Sequence, residues 1–214
     1  MAVRARAGIV LFGDVVASRA LPRATTWLRA LRSQLDDAYG TARLAPFEFT
    51  QGDELQGLLV PHADPFEAVL RAGLDPDRLA MRWVIAMGGI DAGRGPATQR
   101  TGEAFLRARE LSDLVRRRRA ALLARTGDAA TDALLDDVAP VLGRLLAELT
   151  ARQRVIARLL LIDGLSQADA ARRLGIRAPT VSVAAERARV REIAALRDAC
   201  LRLFRAAIPG SKAA

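Results

Sequence analysis

Residues 149–193 form the segment that most restricts how this chain can fold: LTARQRVIARLLLIDGLSQADAARRLGIRAPTVSVAAERARVREI. It contains two helix starts and two glycine stops in close succession. Thr150 is suited to cap a first helix and Ser166 to cap a second, because their hydroxyl oxygens accept free N–H groups of a first helical turn. Gly164 and Gly175 are suited to end these two helices. The segment therefore predicts short helices joined by tight turns.

The third helix of the segment is predicted to begin near Ala178, with Pro179 in its first turn, where a missing N–H costs nothing. Ala171 is small where two helices would cross closely. Gly175 follows in a turn conformation that only glycine adopts cheaply. Val181, further along, would point back into the core. This spacing of small, glycine and β-branched positions predicts a helix-turn-helix.

The distribution of charge distinguishes the end of the chain from the rest. The net charge is +9, and residues 151–214 carry 13 basic and 5 acidic groups, a net of +8. Residues 1–100 carry 12 and 11, a net of +1, and residues 101–150 carry 8 of each. An excess confined to the last third predicts that this part meets a polyanion. The alternative is a three-helix packing unit that binds protein.

If Val181 faces inward, the opposite face of the third helix is exposed and is expected to enter the major groove of double-stranded DNA. Thr180, Ser182 and Val183 would then meet base edges, and Arg187 would read a base or a phosphate. The flanking arginines suit phosphates, which fix register without reading sequence. The predicted DNA-binding residues are Arg172, Arg173, Arg177, Thr180, Ser182, Val183, Glu186, Arg187, Arg189 and Arg191.

The first half of the chain has a different pattern, with apolar runs of strand length between amphipathic helices. Strands are predicted at residues 8–16, 46–50, 54–60 and 82–90, with helices at 25–39 and 65–72 and a further helix after Gly102. The order β-α-β-β-α-β predicts a split βαβ sheet. The expected fold class is α+β, with a ferredoxin-like (palm, βαββαβ) N-terminal domain and an all-α helix-turn-helix C-terminal domain. The N-terminal domain is expected at residues 1–119 and the C-terminal domain at 146–214. Residues 120–145 are expected to form a helical linker, which is broken near residues 126–128 and at Pro140.

Acidic residues occupy two special places in that sheet. Asp14 ends the first strand, where a half-buried carboxylate needs a partner. Asp53 lies at the turn of the central hairpin and is followed by Glu54. Converging carboxylates repel each other unless a cation lies between them, and Mg²⁺ bound with the phosphates of a nucleotide would supply that cation. Ser18 and Arg19 would then donate hydrogen bonds to the phosphates. The alternative for Asp53 is a turn aspartate that bonds its own backbone.

The runs FGDVVASR, FTQGDELQGLL, MRWVIAMGGID and GPATQRTGEAFLRARE resemble the SatD family, which is similar to the palm domains of class III nucleotidyl cyclases and GGDEF proteins. The resemblance implies metal ligation by Asp14 and Asp53, with Glu54 at the position of the GGDEF glutamate. Two positions depart from those cyclases. Gln51 replaces the first glycine of the hairpin, and Leu106 stands near the position of a ribose-binding asparagine.

Residues 147–198 resemble sigma-factor region four and the LuxR-type domains, which implies DNA and RNA polymerase as partners. We expect a DNA-binding transcription regulator whose palm-like domain binds a ligand or dimerises. The alternative is a Mg-dependent enzyme, similar to a nucleotidyl cyclase or nucleotidyltransferase, that is tethered to DNA. The incomplete set of chemical residues favours the regulator.

Composition excludes several other classes. Cys200 is the sole cysteine, so neither an internal disulfide nor a thiolate zinc site can form. No apolar run approaches the roughly 20 residues of a membrane span. We therefore expect a cytoplasmic protein without a membrane partner. A homodimer is expected because DNA sites are commonly two-fold and cyclase sites are shared between subunits.

Overall fold

The computed structural model describes residues 6–16, 24–50 and 54–208. The sheet region contains β1 (Arg6–Val15), α1 (Ala24–Tyr39), β2 (Arg43–Phe49), β3 (Glu54–Leu59), α2 (Phe66–Gly73), β4 (Met81–Ile90), α3 (Glu103–Arg117) and β5 (Leu122–Arg125). The helices that follow are α4 (Ala129–Glu148), α5 (Ala151–Leu161), α6 (Gln167–Leu174), α7 (Ala178–Arg187) and α8 (Val190–Ala206). Short 3-10 helices lie at Gly40–Ala42 and Ala97–Gln99.

The strands form one sheet with the order β2-β3-β1-β4-β5. Neighbouring strands are antiparallel except β4 and β5, which are parallel. The first four strands with α1 and α2 are the split βαβ arrangement that the order of elements predicted. The α+β fold class with a helical C-terminal part is therefore confirmed.

Strand β5 corrects one prediction from the sequence. Residues 120–145 were expected to be helical, but Leu122–Arg125 pairs with β4, and α3 makes the crossover between the two parallel strands. Leu122, Leu123 and Ala124 are all fully buried, and an apolar run of this length does not distinguish a strand from a buried helix. The division into domains and a linker stays a prediction.

Helix α4 corrects a second detail. The predicted break at Pro140 is absent, because α4 continues through this residue to Glu148. Ala139 and Leu142 on either side are fully buried, so their packing offsets the hydrogen bond that proline cannot donate. Residues 126–128, predicted as a break within a helix, instead connect β5 to α4, and Asp128 caps α4 by accepting from the N–H of Thr131.

Each face of the sheet has its own hydrophobic core. Helix α3 covers one face, where it packs on Val10 and Phe12 of β1. Helices α1, α2 and α4 cover the other face, and that core continues from Ile9 of β1 to Phe204 of α8. The sheet and the C-terminal helices are therefore packed together as one body. In the described part of the chain, no helix has the length and apolar character that crossing a membrane requires.

Candidate functional sites

The turns of the C-terminal helices have the caps that the sequence predicted. Thr150 Oγ1 accepts from the N–H of Gln153 (3.3 Å), and Gln153 Oε1 accepts from the N–H of Thr150 (2.8 Å), which completes a capping box at α5. Ser166 Oγ accepts from the N–H of Asp169 (3.1 Å) at the start of α6. Gly175 ends α6 in the left-handed conformation, with φ of +65°.

Helix α7 buries the face that the sequence predicted to point inward. It begins after Arg177, with Pro179 in its first turn. Val181 is fully buried, as predicted, and Ala185 one turn later is buried as well. Val183 is turned outward and is 47% exposed.

All the residues predicted to contact DNA are exposed. They are Arg172, Arg173, Arg177, Thr180, Ser182, Val183, Glu186, Arg187, Arg189 and Arg191. They lie on α6, on α7, in the turns that precede α7 and α8, and, for Arg191, in the first turn of α8. Their contact with DNA stays a prediction, whereas their accessibility is a property of the fold.

The N-terminus of α5 lies beside α7, which the sequence did not predict. A groove of about 580 Å³ separates the two, and its lining residues are Thr150, Arg152, Gln153, Pro179, Thr180, Val183, Ala184 and Arg187. Gln153 Nε2 donates to the carbonyl oxygen of Arg187 (3.3 Å), which joins α5 to the last turn of α7. Arg152 is thereby added to the basic groups around α7. In the sequence, one signal pointed to Arg152, which is its position in the first turn after the cap residue Thr150.

One of the arginines is held by a neighbouring carboxylate. Arg172 donates to Asp169, and hydrogen bonds from Ser166 and then Arg172 lower the pKa of Asp169. Within the described part of the chain, Arg173 and Arg177 form no ion pair. These two guanidinium groups are therefore better placed than Arg172 to pair with phosphates.

The Asp14 carboxylate is partly buried and paired, as its position predicted. It lies opposite Glu54 across β1 and β3, and opposite Arg82 across β1 and β4. Asp14 Oδ2 is 3.7 Å from Arg82 Nη1 and 3.5 Å from Arg116 Nη2, and its side chain is 20% exposed. Two guanidinium groups therefore supply the positive charge at this carboxylate.

Glu54 also has protein partners. Its Oε1 accepts from Gln56 Nε2 (2.7 Å) and from Thr50 Oγ1 (3.4 Å). Within residues 6–16, 24–50 and 54–208, no three His, Cys, Asp or Glu side chains are placed to hold a metal ion. The cleft beside Asp14 and Glu54 has about 10 Å³, far below the roughly 300 Å³ of a small-molecule pocket.

The described residues at this end of the sheet form an ion-pair cluster. Asp53, Ser18 and Arg19, the other residues predicted for metal and nucleotide, lie outside the described residues. The predictions of metal ligation by Asp14, Asp53 and Glu54, and of nucleotide contacts by Ser18 and Arg19, therefore stay predictions.

Residues 141–191 match the family model of Sigma-70, region 4. The matched range begins within α4, includes the helix-turn-helix and ends at the start of α8. It agrees with the resemblance drawn from residues 147–198, and it supports a DNA-binding regulatory role. No curated protein matches the chain.

Two solved structures of a bacterial light-regulated adenylyl cyclase are similar to part of this chain. Each is 17% identical, with TM-scores of 0.41 and 0.40, over 57% of this chain and 44% of the cyclase chain. This chain thus corresponds to less than half the length of those cyclases. A likeness of this size carries no argument about activity, and the resemblance to the SatD family stays a prediction.

Proposed function

We propose that this chain is a DNA-binding transcription regulator. The observation that carries the proposal is the exposed outer face of α7, with Val181 locked in the core, within a segment that matches Sigma-70, region 4. The net charge of +8 in residues 151–214 supports a nucleic-acid partner over a neutral protein surface.

In the proposed mode of binding, α7 enters the major groove. Thr180 and Ser182 offer hydroxyl groups to base edges, and Val183 offers methyl groups. Arg187 pairs with a base or a phosphate at the end of the helix. Arg152, beside α7 in the groove at α5, joins Arg173, Arg177, Arg189 and Arg191 in contacting phosphates, which strengthens binding without reading sequence.

A double substitution tests this mode. Thr180→Ala with Arg187→Ala should lower affinity for a duplex selected from a random pool by at least about 10-fold, since each base contact contributes roughly 1–3 kcal/mol. Arg144→Ala is the matched control, because Arg144 is exposed on α4 and its loss removes the same charge. Fluorescence anisotropy at moderate salt measures both. Equal affinity of the double variant and the wild type for the duplex would contradict the proposal.

RNA polymerase and a second copy of the chain are the further partners that we propose. The first follows from the match to Sigma-70, region 4. The second follows from the two-fold symmetry common to DNA sites. Co-purification with polymerase and sedimentation with and without duplex are the corresponding measurements.

For the palm-like part we propose binding of a ligand, Mg²⁺ with a nucleotide, or dimerisation. Calorimetry with Mn²⁺, ATP and GTP distinguishes ligand binding from dimerisation. If the sheet region has a ligand site, a heat of binding is measured that Asp14→Asn abolishes and Asp137→Asn leaves unchanged. Asp137 is exposed on α4 and serves as the control. The enzymatic alternative predicts in addition a cyclic or dimeric nucleotide product. Absence of heat with each of these compounds would leave dimerisation as the role.

A further inference from the structure

Helix α8 belongs to the DNA-binding helices and to the sheet region at once. It follows α7 after a short turn in which Ala188 is buried and Arg189 adopts the left-handed conformation, with φ of +52°. At its other end, the Phe204 ring meets the Phe66 ring of α2 edge-on, with centroids 5.4 Å apart. Helix α8 therefore packs against α7 at one end and against the helices on the sheet at the other.

Arg197, in the middle of α8, makes the polar part of this contact. Its guanidinium donates to Asp64 Oδ2 and lies 3.8 Å from Glu67 Oε2, two carboxylates at the start of α2. Burial lowers the pKa of Arg197, but the charge of Asp64 and bonds to neighbouring carboxylates raise it by more, so its pKa is raised. The paired, charged form is the stable one in this place.

Asp64 carries the contact onward into the sheet region. Its Oδ1 accepts from the N–H of Phe66 (2.9 Å), and its carbonyl oxygen accepts from the hydroxyl of Tyr39 at the end of α1 (2.7 Å). That hydroxyl in turn accepts from the N–H of Ala68 (3.0 Å). Arg197 is thus bonded to a residue that holds α1 and α2 together.

A second group of contacts anchors α5. Arg154 donates to the carbonyl oxygens of Asp75 (3.0 Å) and Pro76 (2.7 Å), in the loop that precedes β4. From that loop, Arg78 Nη2 donates to the carbonyl oxygen of Ala147 (2.6 Å) at the end of α4. The helix-turn-helix is therefore held on the sheet region from both of its ends.

We propose that Arg197 is a positioning residue, which couples the DNA-binding helices to the palm-like sheet so that DNA bound at α7 stabilises the sheet. This inference rests on the proposed DNA-binding function. A ligand that binds only the folded form slows every opening that would release it. The sheet is stabilised by bound DNA only if its opening also disrupts the DNA-binding helices.

Hydrogen exchange on the full chain tests the coupling. With free duplex at a hundredfold excess over Kd, amides of β1 and β4 in the wild type should exchange up to about 100-fold more slowly than without DNA. Arg197→Met should still bind the duplex, but the ratio of rates with and without DNA should fall to less than about tenfold in β1 and β4. Protection of α7 should persist in this variant.

A control variant and a second test variant complete the experiment. Arg202→Met removes the same group from an exposed position on α8 and should behave as the wild type. Asp64→Asn, which removes the charge opposite Arg197 and keeps an acceptor for the N–H of Phe66, replaces Arg197→Met if that variant does not fold. An unchanged ratio in Arg197→Met, or in Asp64→Asn where it replaces that variant, would overturn the coupling alone. Absence of duplex binding by the wild type would overturn the proposed function, and the coupling with it.

Discussion

Gly175 shows how a single residue shapes the proposed DNA-binding surface. It ends α6 with φ of +65° and ψ of 30°, and its N–H bonds back into α6 at Ala171 and Arg172. A Cβ added to Gly175 would meet nothing within 4 Å. The need for glycine is therefore purely conformational, since a left-handed backbone disfavours residues with a side chain.

We expect Gly175→Ala to lower the free energy of unfolding by about 1 kcal/mol. Gly175→Asn should cost less, because asparagine tolerates the left-handed region better than other residues with side chains. Urea unfolding of both variants measures the difference. An alanine variant as stable as the asparagine variant would contradict this account of the turn.

At the scale of elements, β5 is bound to α4 by polar contacts as well as by burial. Arg125 at the end of β5 forms a two-pronged ion pair with Asp136 of α4, with Nη1–Oδ1 at 2.5 Å and Nη2–Oδ2 at 2.6 Å. Asp132 accepts from the N–H groups of Thr126 and Gly127 between the two elements. These contacts set where the short strand ends and where the helix begins.

The Arg125–Asp136 pair gives a prediction that depends on pH. Hydrogen bonds from Arg125 lower the pKa of Asp136 in the folded protein. Its contribution is therefore full above the ordinary aspartate pKa of about 3.9 and is lost as the pH falls through the folded value. Asp136→Asn should destabilise the protein at neutral pH by about 1–3 kcal/mol, since a charge-assisted pair is lost.

Thermal unfolding across the acid range measures this effect. The gap in stability between the wild type and Asp136→Asn should close as the pH falls below about 3.9. Asp137→Asn, which alters the exposed neighbouring carboxylate, should track the wild type throughout. A gap that is independent of pH would show that Asp136 acts through packing and not through its charge.

At the scale of the whole molecule, the continuous core joins parts that the sequence separates. Leu142 of α4, Ile156 of α5 and Phe204 of α8 belong to the same buried cluster as Ile9 of β1. The helix-turn-helix therefore rests on apolar surface that α2 and α4 provide.

A fragment of residues 146–214 should consequently be less helical and less heat-stable than the same residues in the full chain. It lacks Phe66 and most of α4, against which α8 packs, and small domains have little stability to lose. A fragment that starts at residue 129, and so includes α4, should regain part of the helicity. Circular dichroism and anisotropy with duplex compare the fragments with the full chain. Equal melting temperatures for residues 146–214 and the full chain would contradict a shared folding unit.

Local chemistry explains what the sequence determined by itself. Thr150 and Ser166 accept from N–H groups three residues ahead, and the N–H of Gly175 donates to carbonyl groups three and four residues back. Caps and turns therefore follow from spacing alone. Val181 and the exposed residues of α7 follow from the same periodicity. The four-stranded βαββαβ order could also be predicted, because each strand is an apolar run bounded by turn residues.

Tertiary structure decided what depends on distant residues. Leu122–Arg125 becomes a strand because β4 offers it an edge. Asp14 is paired because Arg82 and Arg116 reach the same end of the sheet. Arg197 meets Asp64 across 133 positions of the chain. A short apolar run or a lone carboxylate carries no local signal of its partner, and only the packing of the whole chain supplies one.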